Sequence, residues 1–192
     1  MRTAKIQRTT TETSIAMELN IDGSGIFEGK SGMPFLDHML DLWCCHGRFD
    51  LELQVQGDLE IDGHHTVEDL GICLGKCLSD ALGTKEGINR YGSVWIPMDE
   101  ALSMVVLDIS GRPFLRYEVP VQSKRIGIFE VELVEEFFRA LCTHGGLTLH
   151  IQLLHGRNGH HIIESVFKAF GRALNEAVKL TGSGIPSTKG LI

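Results

Sequence analysis

Two copies of the pattern His-His-x-x-Glu stand out in this chain, His64-His65-Thr66-Val67-Glu68 and His160-His161-Ile162-Ile163-Glu164. With 9 histidines in 192 residues, chance supplies only ~0.03 such patterns, by counting the template along the chain. Four histidines and two glutamates are poor core material. On a helix the first histidine and the glutamate are four residues apart and share a face. The second histidine points about 100° away. Adjacent imidazoles aimed apart cannot chelate one ion, so each motif is expected to serve two different metal centres. Neutral imidazole with carboxylate suits Mn, Fe, Zn, Co or Ni.

The motifs belong to a longer repeat. At an offset of 96, Gly75 meets Gly171, Leu78 meets Leu174 and Ala81 meets Ala177. Upstream the offset is 98: Cys44 meets Cys142, His46-Gly47 meets His144-Gly145, and Leu51 meets Leu149. Residues 34–82 and 132–178 therefore read as two copies of one unit. Within it, Phe35 to Trp43 and Leu133 to Cys142 read as helices. Alternating Phe49, Leu51, Leu53, Val55 and Leu147, Leu149, Ile151, Leu153 read as half-buried strands. A second helix follows each His-His motif, with Val166, Phe167, Phe170, Leu174 and Val178 as its apolar stripe. Strand regions at Ala4–Asn20, Gly25–Glu28, Ser93–Ile96, Leu102–Ile109 and Phe114–Val119 precede the helices. The expected fold is α+β, with two sheet-plus-two-helix units packed helices inward. The division falls at residues 1–90 and 91–192, within one compact domain.

The repeat also extends the ligand set. His38 on the first helix has Glu136 as its counterpart at offset 98. Both side chains bind metals. The candidate ligands are thus His38, His64, His65, Glu68, Glu136, His160, His161 and Glu164. His46 and His144 sit at helix ends, where an imidazolium suits the helix dipole; His46 is also a candidate substrate contact. His150 and His155 read as strand or surface residues. Arg90 and Arg112, in turn contexts, and the tail Ile185-Pro186-Ser187-Thr188-Lys189-Gly190 supply cationic, hydroxyl and amide donors for an anion.

A net charge of −7 argues against general binding to nucleic acid or anionic lipid. No apolar run approaches the ~20 residues of a membrane helix, and Met1-Arg2-Thr3-Ala4-Lys5 leads into no secretory-signal pattern. Five cysteines without a Cys-x-x-Cys motif fit reduced thiols in a cytoplasm.

Together these stretches resemble the imidazoleglycerol-phosphate dehydratases of histidine biosynthesis. The resemblance is carried by Arg8-Thr9-Thr10-Thr11-Glu12-Thr13, FLDHML at 35–40, GDLEIDGHHTVEDLGI at 57–72, NGHHIIESVFKAFGRAL at 158–174 and IPSTKG at 185–190. It implies a duplicated fold of ribosomal protein S5 domain 2-like units, two Mn²⁺ per active site, and a 24-subunit assembly with sites where subunits meet. It places all eight candidate ligands at metal positions. It places substrate contacts at Glu12, His38, His46, His64, Glu68, Arg90, Arg112, His160, Lys168, Ser187, Thr188 and Lys189, with Glu12, Glu68 or Glu164 moving protons. The implied reaction dehydrates D-erythro-imidazole glycerol phosphate to imidazole acetol phosphate through a metal-bound imidazolate. Two features depart from the common pattern: Glu136 stands where many members carry His, and Thr188 where Ser is usual. The competing classes are a dinuclear hydrolase, which usually has Asp-rich bridging carboxylates on loops, and a metal-storage protein, which needs ligands but no phosphate clamp.

Overall fold

The computed structural model describes all 192 residues. The first repeat runs β1 (Thr3–Thr9), β2 (Thr13–Asn20), β3 (Phe27–Lys30), α1 (Pro34–Gly47), β4 (Asp50–Gly57) and α2 (His64–Leu82). The second runs β5 (Tyr91–Met98), β6 (Ala101–Asp108), β7 (Phe114–Glu118), a small hairpin β8 (Arg125–Ile126) and β9 (Phe129–Glu130), α3 (Leu133–Gly145), β10 (Thr148–His155) and α4 (Gly159–Val178).

Both four-stranded sheets have the same order, β1-β2-β4-β3 and β5-β6-β10-β7. In each, the third strand lies parallel to the fourth and the intervening helix makes the crossover, as a parallel pair requires. The expected α+β duplication is therefore the observed one. Two details differ. The Ala4–Asn20 region is two strands, because Thr10 Oγ1 accepts from the Glu12 and Thr13 amides and turns the chain. The β8–β9 hairpin has no counterpart in the first repeat and no alternation strong enough to announce it.

The helices fill the space between the sheets. α2 lies on β1 and β2, α4 lies on β5 and β6, and the layers meet through α1 against α4 and α2 against α3. Trp43, Phe49, Phe137, Phe138, Phe167 and Phe170 are almost fully buried at this junction. Phe138 stacks edge-on to Phe170 at 5.2 Å between ring centres. Burying each such ring contributes roughly 1.5–3 kcal/mol.

Glycine sets how closely the helices cross. A Cβ on Gly171 of α4 would lie 2.7 Å from the Trp43 carbonyl oxygen and 3.1 Å from the Gly47 amide nitrogen of α1. A Cβ on Gly75 of α2 would lie 2.6 Å from the Leu141 carbonyl and 2.8 Å from the Gly145 amide of α3. These contacts are repeat-equivalents of one another. Alanine in a helix ordinarily gains about 0.5–1 kcal/mol over glycine. Here the obstacle is backbone, so Gly171→Ala and Gly75→Ala are expected to destabilise by roughly 1–3 kcal/mol. A denaturant midpoint that stays level or rises for both would contradict this packing.

Candidate metal centre and anion pocket

Each His-His motif occupies the first turn of its helix. Asn158 caps α4, its side-chain oxygen accepting from the His160 and His161 amides. Asp62 Oδ1 accepts from the His64 amide at 2.8 Å at the start of α2. Both bonds satisfy amides that a helix start leaves free. They also fix the motifs at the exposed edge of the helix layer.

His38 of α1 meets α4 here. His160 Nε2 is 3.1 Å and His38 Nε2 3.9 Å from Glu164 Oε2. The three donor atoms lie within 4.8 Å of one another, the one such group of three in the chain. Glu164 is buried, with its other oxygen, Oε1, 2.5 Å from Lys168 Nζ. Burial opposes its ionisation. The Lys168 hydrogen bond and charge, with His160 and His38, outweigh burial and hold its carboxyl below the usual range. The result is an ionised oxygen facing two imidazoles, a donor set that fits a divalent transition ion.

The second histidines turn away, as helical geometry requires. The His160 and His161 ring planes lie at 79°, and those of His64 and His65 at 87°. His65 Nδ1 is held by Asp58 Oδ2 at 2.9 Å, and His161 Nδ1 by Glu100 Oε2 at 2.7 Å. These bonds raise both imidazole pKa values, and the His161 bond, with the Asn158 and Arg157 amides, holds the Glu100 carboxyl at about 2. A carboxylate on Nδ1 fixes the tautomer and leaves Nε2 directed outward, the arrangement of a metal-ligating histidine. Glu12 Oε1 stands 3.7 Å from His65 Nε2.

Sequence reasoning gave Asp58 and Glu100 no role. Asp58 lies seven residues before its histidine, at the end of β4. Glu100 lies 61 residues from His161, in the β5–β6 turn, where no local pattern marks it. Asp58→Asn and Glu100→Gln are expected to weaken metal affinity about 10- to 100-fold with the fold intact. Unchanged affinity by calorimetry would make both pairs merely structural.

Glu136, His64 and Glu68 do not gather as closely as their repeat-equivalents. Glu68 is exposed, and Glu136 lies 3.5 Å from Arg139 Nε. His46 and His144 are not the helix-end cations their positions fit. Burial, then Lys168 and Arg172 for His46, and burial, then Lys76 and Arg8 for His144, push both pKa values down and favour neutral imidazole.

The anion-binding candidates converge elsewhere. Arg90, Arg112, Ser187, Thr188 and Lys189 line one pocket of about 760 Å³ with Tyr91 and Ser110. Within it, Arg90 is already engaged. Its Nε and Nη2 donate to Asp108, and its Nη1 donates to the Pro186 carbonyl at 2.8 Å. Arg90 therefore docks the tail, while Arg112 is exposed.

This pocket opens beside Tyr91, at the start of β5. Met98, at the far end of β5, touches Lys168 of the His38 cluster. Seven residue-to-residue steps along the strand separate the two by about 23 Å. α4 gives a similar span, because the Arg90 amide bonds the Ala177 carbonyl, 13 residues and about 20 Å beyond Glu164. No small phosphorylated molecule reaches both from one chain.

The family model for Imidazoleglycerol-phosphate dehydratase matches residues 31–174. The chain belongs to this family. The imidazoleglycerol-phosphate dehydratase of Syntrophobacter fumaroxidans is 56% identical over 193 residues, covering 100% of this chain and 98% of that protein. That of Caldanaerobacter subterraneus subsp. tengcongensis is also 56% identical, with 100% of both chains covered. The crystal structure of the Staphylococcus aureus member superposes with a TM-score of 0.85 at 41% identity, covering 93% of this chain and 99% of that one. The Pyrococcus furiosus member, solved in complex with (S)-C348, gives 0.85 at 37% identity over 97% and 100%. In this family member no helix is long and apolar enough to cross a membrane.

Proposed function

We propose that this chain is a hydro-lyase of histidine biosynthesis that converts D-erythro-imidazole glycerol phosphate to imidazole acetol phosphate and water. The observation that carries the reading is the His38–His160–Glu164 cluster in a chain of this family. The same reading takes the fold as a pair of ribosomal protein S5 domain 2-like units, 1–90 and 91–192, working in a cytoplasm.

His38, His160 and Glu164 would hold one divalent ion, and Glu136, His64 and Glu68 the other. His65 and His161, aimed outward, would complete centres on neighbouring copies. Mn²⁺ is the ion of choice, two per active site. Bound there, it supplies Lewis acidity that stabilises charge developing on the imidazole.

The remaining work falls to the chain's own groups. Arg112 and Lys189, with Ser187 and Thr188, would bind the phosphate by charge-assisted hydrogen bonds. Arg90, braced by Asp108, would keep the tail in position. Neutral His46 is suited to donate or accept a hydrogen bond without adding charge, and Lys168 keeps Glu164 ionised and oriented. One carbon-bound proton and the hydroxyl next to the ring must leave, and the resulting enol becomes the ketone. Glu12, exposed beside His65, or Glu68, exposed on α2, has access to take or return a proton. The separation of about 20 Å along α4 between cluster and pocket supports a site completed by a second copy, as in a closed assembly such as a 24-mer.

Chelator-stripped protein should turn over imidazole glycerol phosphate only after Mn²⁺ is restored. Metal-loaded, assembled protein with no turnover would instead mark a binding or storage role.

A further inference from the structure

The internal repeat places the two groups of ligand candidates in the same frame but gives them different chemistry. Gly171 crosses α1 at Trp43 and Gly47, and Gly75 crosses α3 at Leu141 and Gly145. Each pair is related by the same offsets of 96 and 98. Glu136 therefore stands to His64 and Glu68 as His38 stands to His160 and Glu164.

The surroundings do not repeat. Glu164 is buried and neutralised by Lys168, whereas the residue 96 positions before Lys168 is the buried, apolar Ile72, and Glu68 is exposed. Arg139, the cation nearest Glu136, donates from Nη2 to Glu135 at 2.5 Å, so its charge is shared. One half-site thus offers two imidazoles and a neutralised carboxylate. The other offers one imidazole and two carboxylates. His65 and His161 are the same residue type with the same carboxylate support, so whichever copy supplies them, the difference remains.

We infer that Glu136 makes the two metal centres of this chain unequal, the Glu136 centre being oxygen-rich and the more retentive of hard ions such as Mn²⁺ against softer ions such as Zn²⁺. Zn²⁺ outcompetes Mn²⁺ at any nitrogen–oxygen site, but the margin narrows as carboxylate replaces imidazole. The inference rests on the two-metal reading above and adds what distinguishes the two ions.

The test is competition on the assembled protein loaded with Mn²⁺ alone. Zn²⁺ is added in steps, and released Mn²⁺ is counted by the electron paramagnetic resonance of the free aqua ion. Wild-type protein should release one Mn²⁺ per chain first and the second at a Zn²⁺ concentration at least about tenfold higher. Glu136→His should merge the two steps at the lower concentration. His38→Glu, which makes both half-sites acidic, should merge them at the higher one. A single step from wild-type protein carrying two Mn²⁺ per chain would overturn the inference and leave the proposed function standing. Two steps unmoved by either substitution would overturn it equally. Loading below two Mn²⁺ per chain would overturn the two-metal reading itself, and this inference with it.

Discussion

Glu164→Gln should remove metal from the His38 cluster and lower turnover about 10³-fold, the effect of losing several kcal/mol of charge stabilisation. Glu164 is the sole carboxylate in that cluster. Its Oε2 faces His160 and His38, while Oε1 is held by Lys168. Glutamine keeps the shape and discards the charge. It also leaves the half-buried Lys168 ammonium without its counter-ion, beside the two imidazoles that must accept a dication. Metal content and turnover should therefore fall together. Metal analysis beside a steady-state assay checks this. A variant that keeps full metal but loses activity would make Glu164 a proton carrier rather than a ligand.

Arg112→Ala and Lys189→Ala should each raise KM and cut kcat/KM about 10- to 100-fold, at the usual roughly 1.5–3 kcal/mol for a hydrogen bond to a charged group. Metal content should not change, because the pocket lies about 20 Å from the His38 cluster along α4. Arg90→Ala is a different experiment. Arg90 is committed to Asp108 and the Pro186 carbonyl, so its removal should loosen the whole tail and mimic the loss of Ser187, Thr188 and Lys189 together. If Arg112→Ala and Lys189→Ala both leave KM unchanged, the pocket is not the phosphate site.

The sequence carried more of this architecture than its composition does. The offsets of 96 and 98 come from side chains that repeat because packing repeats. Gly75 and Gly171 recur because each lies under a helix backbone, and His64 and His160 because each lies in the first turn of its helix. That is why the duplication, the run of strands and helices along each copy and the equivalence of His38 with Glu136 were legible, while strand order and helix pairing were not. What was not legible depends on contacts between distant segments. Glu100 finds His161 only when the β5–β6 turn folds over α4. Asp108 claims Arg90 only when β6 lies beside β5. The neutral state favoured for His46 and His144 also arises in three dimensions, where burial and the cations of neighbouring elements override the attraction of a helix end for an imidazolium. The distance between metal cluster and anion pocket was invisible too, since both are reached through residues scattered along the chain.

That distance permits a direct test of the central claim, that a dehydrating site is completed by two copies of this chain. Glu164→Gln and Arg112→Ala proteins, the first lowered about 10³-fold in turnover and the second about 10- to 100-fold in kcat/KM, are dissociated, mixed in equal amounts and reassembled, and dehydration of imidazole glycerol phosphate is measured at substrate well below KM. If the metal half and the phosphate half come from different copies, about one site in four draws both halves intact, and the mixture should recover roughly a quarter of wild-type activity. If the mixture shows no more than the average of its two components, the site is not shared between copies and the account is contradicted.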